Sequence, residues 1–257
     1  MLLFFVGVTV GGYGTLIGAG GGFLLMPLLL VVFPDKSAAA LASLSLSIVA
    51  LNAFSGALAY AWQRRIEFRL AGVLAVVTVP GSMLGAATTR YIPRTIFEAV
   101  FGFTLLVMGV MLVRRPLAGI GTQLDTAAAR GAADARRFRL GLLLSMTVGW
   151  LAGVLGIGGS PPQVVVLTHV MRIPVARAMP TIQFLVMLSA LGAVGVHVAA
   201  GVFDVSLTSF VSLGAGAMIG AQIGAVISSR LSGAVLVRLL AGALLIIGGG
   251  LLLKAAI

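Results

Sequence analysis

A glycine-rich segment interrupts a long uncharged stretch of this chain twice. The segment GAGGG, Gly18 to Gly22, lies within residues 1–33, and GIGG, Gly156 to Gly159, lies within residues 140–170. A continuous helix of either length would measure about 48 Å, whereas the hydrocarbon core of a bilayer is about 30 Å thick. Glycine also lowers helix propensity and allows backbone angles that other residues avoid. Each stretch therefore predicts two half-helices that meet at a glycine turn.

The composition identifies the surroundings of these turns. Apolar residues make up 60% of the 257 residues and charged residues only 9%. Soluble globular domains are not built from such a mixture, so the sequence predicts an all-α polytopic membrane protein in contact with membrane lipids. The net charge of +11 would suggest nucleic acid in a soluble protein. Here the basic residues stand between apolar runs, so the positive-inside rule explains them better and we expect no nucleic-acid partner.

The titratable residues do not indicate a cofactor or a proton pathway. Cysteine is absent and the chain has two histidines, His169 and His197, so we predict no disulfide, no metal cluster and no cofactor. His197 is a weaker candidate for a proton relay. Ion-coupled pumps commonly place carboxylates inside the bundle. All six acidic residues of this chain lie in loops or near span ends: Asp35, Glu67, Glu98, Asp125, Asp134 and Asp204.

The other apolar runs predict six spans, three in each half. Those of the first half cover residues 38–62, 70–88 and 95–113. We predict a first membrane repeat at 1–113, a basic cytoplasmic linker at 114–139 and a second membrane repeat at 140–257. An offset of 138 residues supports this division. It places Gly18, Gly20 and Gly21 on Gly156, Gly158 and Gly159, and it places Ser43 and Ser45 on Thr181 and Gln183.

Loop charge favours one of two topologies. If every apolar run crosses once, the protein has eight full spans and the Lys and Arg residues divide ten against seven. If each glycine-broken run enters and leaves on one face, the division is thirteen against four. The second division fits the positive-inside rule better. We therefore favour two inverted repeats, each a re-entrant helical hairpin plus three transmembrane helices, with eight full spans as the alternative.

Inverted repeats with discontinuous helices are typical of secondary transporters whose site lies near the membrane midplane. The free N–H groups at a helix start attract anions. Ser160 before Pro161 reads as an N-cap with a first-turn proline, and Gly22 is its counterpart. The predicted substrate-binding residues are Gly20, Gly21, Gly22, Ser43, Ser45, Gly158, Gly159, Ser160, Gln163, Thr181 and Gln183. The alternative is that the glycines only allow close packing and that the hydroxyls bond to their own helices.

Two further side chains are interpreted structurally. Asn52 has no polar counterpart in the second half, so we interpret it as a helix-packing residue. Glu98 stands four residues after Arg94, which predicts an ion pair on one helix face.

These segments resemble the TauE/SafE family of sulfite exporters, small bacterial permeases with two homologous halves. The resemblance is carried by Gly18 to Gly22 with Pro27, by Gly156 to Gly159, and by the Ala-x-x-Ser and Ala-x-x-Thr segments that end at Ser43 and Thr181. It covers nearly the whole chain. It implies a secondary transporter that exports sulfite, sulfoacetate or a related sulfur-containing anion across the bacterial cytoplasmic (inner) membrane. Two departures fall at the predicted site: Ser160-Pro161-Pro162 follows the second glycine segment, and Pro180 precedes Thr181.

Parts of the sequence are also compatible with two other functions. A passive channel, or a permease for another oxyanion, would use the same glycine turns. An intramembrane hydrolase would use Ser160 as nucleophile and His197 as base. Two prolines follow Ser160 and no third orienting group is evident, so we predict that the protein is not an enzyme. The sequence leaves the transport direction, the coupling ion and the oligomeric state open.

Overall fold

A computed structural model describes residues 1–18, 20–114, 131–202 and 206–256, without the side chains of 131–134, 160 and 254–256. These residues form ten α-helices: α1 Leu2–Leu16, α2 Gly22–Val32, α3 Ala38–Trp62, α4 Phe68–Thr89, α5 Arg94–Arg114, α6 Gly131–Leu155, α7 Ser160–Val165, α8 Val175–Ala199, α9 Leu207–Ser228 and α10 Gly233–Ala256. A π-helical turn, Val166–Val170, continues α7. Within the described ranges, seven helices are long and apolar enough to cross a membrane. The protein is a multi-pass helical membrane protein.

Both glycine segments end a helix, as predicted. We call residues 17, 18 and 20–22, which include the first residue of α2, the first turn, and residues 156–159 the second turn. Three glycines in each turn have positive φ angles, which glycine adopts without strain: 66°, 63° and 77° at Gly18, Gly20 and Gly21, and 69°, 73° and 97° at Gly156, Gly158 and Gly159. The predicted span at 38–62 coincides with α3, and the predicted spans at 70–88 and 95–113 lie within two residues of the bounds of α4 and α5.

The first turn reverses the chain. A Cβ atom on Gly21 would lie 2.9 Å from the carbonyl oxygen of Val10, and one on Gly14 would collide with the Gly21 amide. The helix that follows, α2, ends beside the start of α5. There the Arg94 guanidinium donates to the Leu30 carbonyl at 2.6 Å. The same guanidinium pairs with Glu98 at 2.8 Å, which confirms the predicted ion pair.

The second turn also reverses the chain. Gln163 Nε2, in α7, donates to Ser145 Oγ of α6 at 2.9 Å. Further along, a Cβ on Gly141 would lie 2.6 Å from Met171 Cγ. Unlike α1, which has 15 residues, α6 has 25 and begins at Gly131 inside the predicted linker. The first leg of this hairpin is therefore not the half-helix that we predicted; residues 115–130 of the linker lie outside the described ranges.

Helices of the first half pack against helices of the second half. Helix α1 packs along α9 and α6 packs along α4, while α3 contacts α8 and α5 contacts α10. Glycine allows the backbones of these pairs to touch: a Cβ on Gly12 would lie 3.3 Å from Gly220 O, and one on Gly81 would lie 2.5 Å from Met146 O. These helix glycines therefore serve close helix packing.

The helix ends form two faces. The Lys36 face contains the end of α2 and the starts of α3, α5 and α9, since Phe33, Lys36, Ser206 and Ser209 line one cavity there. The Glu67 face contains the starts of α4, α8 and α10. On this face Glu67 pairs with Arg177 at 3.3 Å, and a Cβ on Gly233 would lie 3.0 Å from Val175 Cβ.

Candidate functional site

The two glycine turns meet inside the bundle. A Cβ on Gly22 would lie 2.7 Å from the carbonyl oxygen of Ile157 and 2.8 Å from Val49 Cγ2. A Cβ on Gly158 would lie 2.7 Å from Val49 Cγ1 and 3.1 Å from Val186 Cγ1. Ile157, Val49 and Val186 are buried. The start of α2 therefore touches the second turn directly, and Val49 of α3 contacts both hairpins.

One face of α3 connects the two turns. Ser45 Oγ donates to the Gly156 carbonyl at 2.7 Å, and Asn52 Nδ2 donates to the Gly20 carbonyl at 3.0 Å. Val49 lies between them in sequence. The spacings of four and three residues put all three side chains on the same side of the helix. This face of α3 thus contacts the second turn at one end and the first turn at the other.

A face of α8 makes the equivalent connection. A Cβ on Gly18 of the first turn would lie 2.7 Å from Met179 Cβ, and Val186 contacts Gly158 of the second turn. Gln183 stands between Met179 and Val186 at spacings of four and three residues, so it shares their face. The place where the turns meet is therefore bordered by α3 and α8, one from each half.

The first turn is held by a buried polar network. Thr15 Oγ1 donates to Asn52 Oδ1 at 3.4 Å and accepts from Gln183 Nε2 at 3.2 Å. The Tyr60 hydroxyl donates to the Thr15 carbonyl at 2.8 Å. Asn52, which we interpreted as a packing residue, is thus the side chain that binds the Gly20 carbonyl. Its signal in the sequence was the single side-chain amide in an uncharged span, where an unpaired polar group would be costly.

The second turn is held by fewer side chains. Besides Ser45, Thr89 Oγ1 of α4 lies 3.1 Å from the Val154 carbonyl, just before the turn, and 3.0 Å from the Gly85 carbonyl of its own helix, and its one proton serves both acceptors. Gln163 joins the two legs of the hairpin through Ser145. The sequence predicted Ser45 and Gln163 as substrate-binding residues; Ser45 lies at this turn and Gln163 in the helix that follows it, whereas Thr89 was not predicted.

The two helix starts differ in their backbone donors. Gly21 caps α2 and Gly159 caps α7, each in a left-handed conformation and without a side-chain hydrogen bond. The prediction that Ser160 is the N-cap was wrong by one residue, because Gly159 occupies the left-handed position before the helix and Ser160 is the first helical residue. Gly22 and Phe23 carry N–H groups at the start of α2. Pro161 and Pro162 follow Ser160 in α7 and have none.

The remaining predicted residues do not all lie together. Ser43 is completely buried and its Oγ has no hydrogen-bond partner. Its repeat counterpart Thr181 lies near the Glu67 face, where its hydroxyl donates to the Arg177 carbonyl at 2.7 Å and accepts from the Glu67 N–H at 3.2 Å. Thr181 therefore bonds to its own helix and to the neighbouring loop. The side chain of Ser160 lies outside the described residues.

The described hydrogen bonds at the two turns involve no carboxylate, lysine, arginine or histidine side chain. Among the described residues no three His, Cys, Asp or Glu side chains cluster as metal ligands would. His197 is buried in the last turn of α8, and its Nε2 has no hydrogen-bond partner. A relay role for this histidine stays a prediction. The described contacts at both turns are made by backbone, hydroxyl, amide and apolar groups.

Comparisons with known proteins bear on what such a site serves. A sequence model of the family described as "Sulfite exporter TauE/SafE" matches residues 3–251. The "Probable membrane transporter protein YunE" of Bacillus subtilis (strain 168) is 24% identical over 262 residues, covering 96% of this chain and 95% of that protein. YdhB of the same organism, with the same description, is 24% identical over 225 residues, covering 88% and 87%. A "Probable membrane transporter protein" of Xylella fastidiosa (strain 9a5c) is 28% identical over 178 residues, covering 66% of each chain. No solved structure gives a significant match.

Proposed function

Because the chain belongs to the sulfite exporter TauE/SafE family of membrane transporters, we propose that it exports a small sulfur-containing anion across the bacterial inner membrane. The substrate is sulfite or an organosulfonate such as sulfoacetate. Transport is secondary and proceeds by alternating access. The observation that carries the proposal is the direct contact between the two glycine turns, at Gly22 and Ile157.

In this proposal the protein consists of two inverted repeats, α1–α5 and α6–α10. The inverted arrangement is supported by the faces on which corresponding helices start, which are opposite. Helix α3 starts at the Lys36 face and α8 at the Glu67 face, where Arg177 meets Glu67. Helix α5 starts beside the end of α2, whereas α10 starts beside Val175. Such repeats place a site at their interface near the midplane.

The Glu67 face is the cytoplasmic one in this proposal. Residues 63–69, 171–177 and 229–232, which are loops and helix starts of this face, contain six basic residues: Arg64, Arg65, Arg69, Arg172, Arg177 and Arg230. The corresponding residues 33–37 and 90–94 of the Lys36 face contain three: Lys36, Arg90 and Arg94. Cytoplasmic loops carry the excess of Lys and Arg in membrane proteins. Export would therefore carry the anion from the Glu67 face to the Lys36 face.

Backbone amides at the start of α2 bind the anion. The N–H groups of Gly22 and Phe23 and the positive end of the helix dipole favour negative charge without a charged side chain. The buried Ser43 hydroxyl, whose Oγ has no partner, is a further donor from α3. The second turn closes the opposite side, with Ser45 fixing the Gly156 carbonyl away from the anion. Of the residues predicted for the site, Thr181 would act on the neighbouring loop rather than on the solute.

Access requires a rearrangement. Gln183 and Ser43 are completely buried, so a solute reaches the turns only when one side of the bundle opens. A cavity of about 320 Å³ lies on the Lys36 face and is lined by Lys36, Ala40, Leu44, Ser206 and Ser209, among others. This cavity is the outer part of the pathway. Alternate opening toward the two faces is the movement expected of inverted repeats.

Thermal stability of the purified protein in detergent tests the proposal. Sulfite, sulfate, thiosulfate and sulfoacetate are compared, and we expect sulfite or sulfoacetate to raise the unfolding temperature, because a bound ligand stabilises the folded state. Gly22→Ala should remove this effect, since its methyl group would collide with Ile157 O. Gly242→Ala is the matched control, because no atom lies within 4 Å of its added Cβ. Equal stabilisation of both variants would contradict the proposed site.

Flux measurements separate a transporter from a passive channel. We expect uptake into proteoliposomes to saturate with substrate concentration and to be accelerated by the same anion on the opposite side. Flux that rises in proportion to concentration, without such exchange, would indicate a channel instead.

A further inference from the structure

The orientation of the Gln183 amide is fixed by its neighbours. The Gly20 carbonyl can only accept a hydrogen bond, so Asn52 must direct Nδ2 toward it, at 3.0 Å, and Oδ1 toward Thr15. Thr15 has one hydroxyl proton, which goes to that Oδ1. The Thr15 oxygen can then only accept from Gln183, whose Nε2 lies 3.2 Å away. The Oε1 atom of Gln183 therefore points away from the network.

This Oε1 is a buried acceptor without a hydrogen-bond partner. Gln183 has no exposed surface, and burial of an unpaired carbonyl is unfavourable. Gly56 makes room for the amide, since a Cβ there would lie 2.7 Å from Nε2. Gln183 also stands on the α8 face between Met179 at the first turn and Val186 at the second. The unpaired acceptor is thus located among the residues that border both turns.

We propose that Gln183 is a specificity-determining residue that selects sulfonates carrying a hydroxyl group. This inference rests on the proposed function, because it takes the anion to lie where the turns meet. A sulfonate group offers only acceptors, which the amides at the start of α2 satisfy. The Gln183 Oε1 needs a donor, and a hydroxyl on the same solute supplies it. A solute without a donor leaves this acceptor unpaired when it binds, which lowers its affinity.

A pair of matched solutes tests the inference. The probes are 2-hydroxyethanesulfonate and ethanesulfonate, which have the same charge and differ by one hydroxyl. Dissociation constants are measured by calorimetry on the purified full chain. We expect the wild type to prefer the hydroxylated solute by about tenfold, the usual effect of pairing a buried acceptor. This comparison needs no variant and so does not depend on the folding of one.

Two variants assign the preference to the residue. Gln183→Met removes the amide at similar length, and we expect both sulfonates to bind it with affinities within about twofold of each other, because no acceptor remains to be paired. Gln222→Met is the control. Gln222 lies on α9 with its Nε2 bonded to Ser55 Oγ at 2.8 Å, so its loss should leave the preference intact.

Each other outcome has a definite meaning. Equal affinities of the wild type for the two sulfonates would overturn the inference while leaving the proposed function standing. Binding of sulfite but of neither sulfonate would do the same, and so would a preference that survives in Gln183→Met. If neither sulfite nor any sulfonate binds, the proposed function itself fails.

Discussion

The two glycine turns share a backbone path but not the groups that hold it. The first turn is fixed by Asn52 at the Gly20 carbonyl, with Thr15, Tyr60 and Gln183 joined to the same network. At the second turn Ser45 bonds to the Gly156 carbonyl and Thr89 contacts the Val154 carbonyl just before the turn, without a network of buried amides. The residue at the position of Asn52 in the second half is Ala190. Internal repetition has kept the bend, while the polar chemistry is concentrated on one copy.

The helix starts that follow the two turns also differ, and again the first half offers more polar groups. Gly22 and Phe23 offer N–H groups at the start of α2, whereas Pro161 and Pro162 remove two from the start of α7. The comparison teaches that a symmetric frame can carry an asymmetric site. We expect the first turn to bind the solute and the second turn to close against it.

The largest expected effect comes from filling the contact between the turns. Gly22→Ala places a methyl group 2.7 Å from a backbone oxygen that cannot move freely, and overpacking of this kind costs about 1–3 kcal/mol. We expect anion binding to be lost. Gly159→Ala should lower the unfolding temperature through its positive φ, yet keep binding, because its Cβ meets only Ala152 Cβ at 3.2 Å. If Gly159→Ala abolished binding and Gly22→Ala did not, the second turn and not the first would be the one that binds the anion.

The second-largest expected effect is the loss of stability when the side chains that hold the turns are removed. Asn52→Ala leaves the buried Gly20 carbonyl and Thr15 hydroxyl without this partner, so we expect the free energy of unfolding to fall by about 2–4 kcal/mol. Ser45→Ala removes one hydrogen bond, at a cost of about 1 kcal/mol. Unfolding of both variants in the same detergent measures the difference. A larger loss in Ser45→Ala would contradict the asymmetry.

A smaller effect tests the proline-containing start. Pro161→Ala restores a backbone N–H to α7. Since we expect the second turn not to bind the anion, affinity should change by less than about threefold, below the net value of one charged hydrogen bond. Calorimetric titration of sulfite or sulfoacetate measures it. Tightening by about tenfold would show that both helix starts face the solute.

The smallest effect concerns the outer cavity, which lies at a distance from both turns. Lys36→Gln should raise the apparent KM for the anion by no more than about twofold at low ionic strength and by less at high salt, because the charge of this half-buried side chain acts by screened attraction. Arg90→Gln on the same face, outside the residues that line the cavity, is the control. Equal effects of the two substitutions would indicate the general charge of the face rather than the cavity.

Much of the fold could be predicted because its causes are local. Hydropathy and length place the spans, and α3 coincides with the predicted range 38–62. The glycine segments located both helix breaks, since few other residues adopt positive φ without strain. The start of α6 could not be located this way, because residues 131–139 are basic and polar yet extend the helix beyond the apolar run.

The site was predicted less completely because its contacts join distant residues. The repeat offset paired Ser45 with Gln183, and in the structure Ser45 bonds to the Gly156 carbonyl while Gln183 bonds to Thr15 beside the first turn. It also paired Ser43 with Thr181, whose surroundings differ: one hydroxyl is unpaired and buried, and the other binds the loop at Glu67. Asn52 has no repeat counterpart, so a search for symmetric pairs overlooks it. The repeat symmetry predicts which positions correspond, whereas the hydrogen-bond partners at each position determine the role of its side chain.

The most direct test of the account is the location of the bound anion. Selenite has the shape and charge of sulfite and a strong anomalous X-ray signal, so crystals soaked in it would reveal its position in an anomalous difference map. The account predicts a selenium peak within hydrogen-bonding reach of the Gly22 and Phe23 amides, between the two turns. A peak at the start of α7 alone, or one remote from both turns, would contradict it.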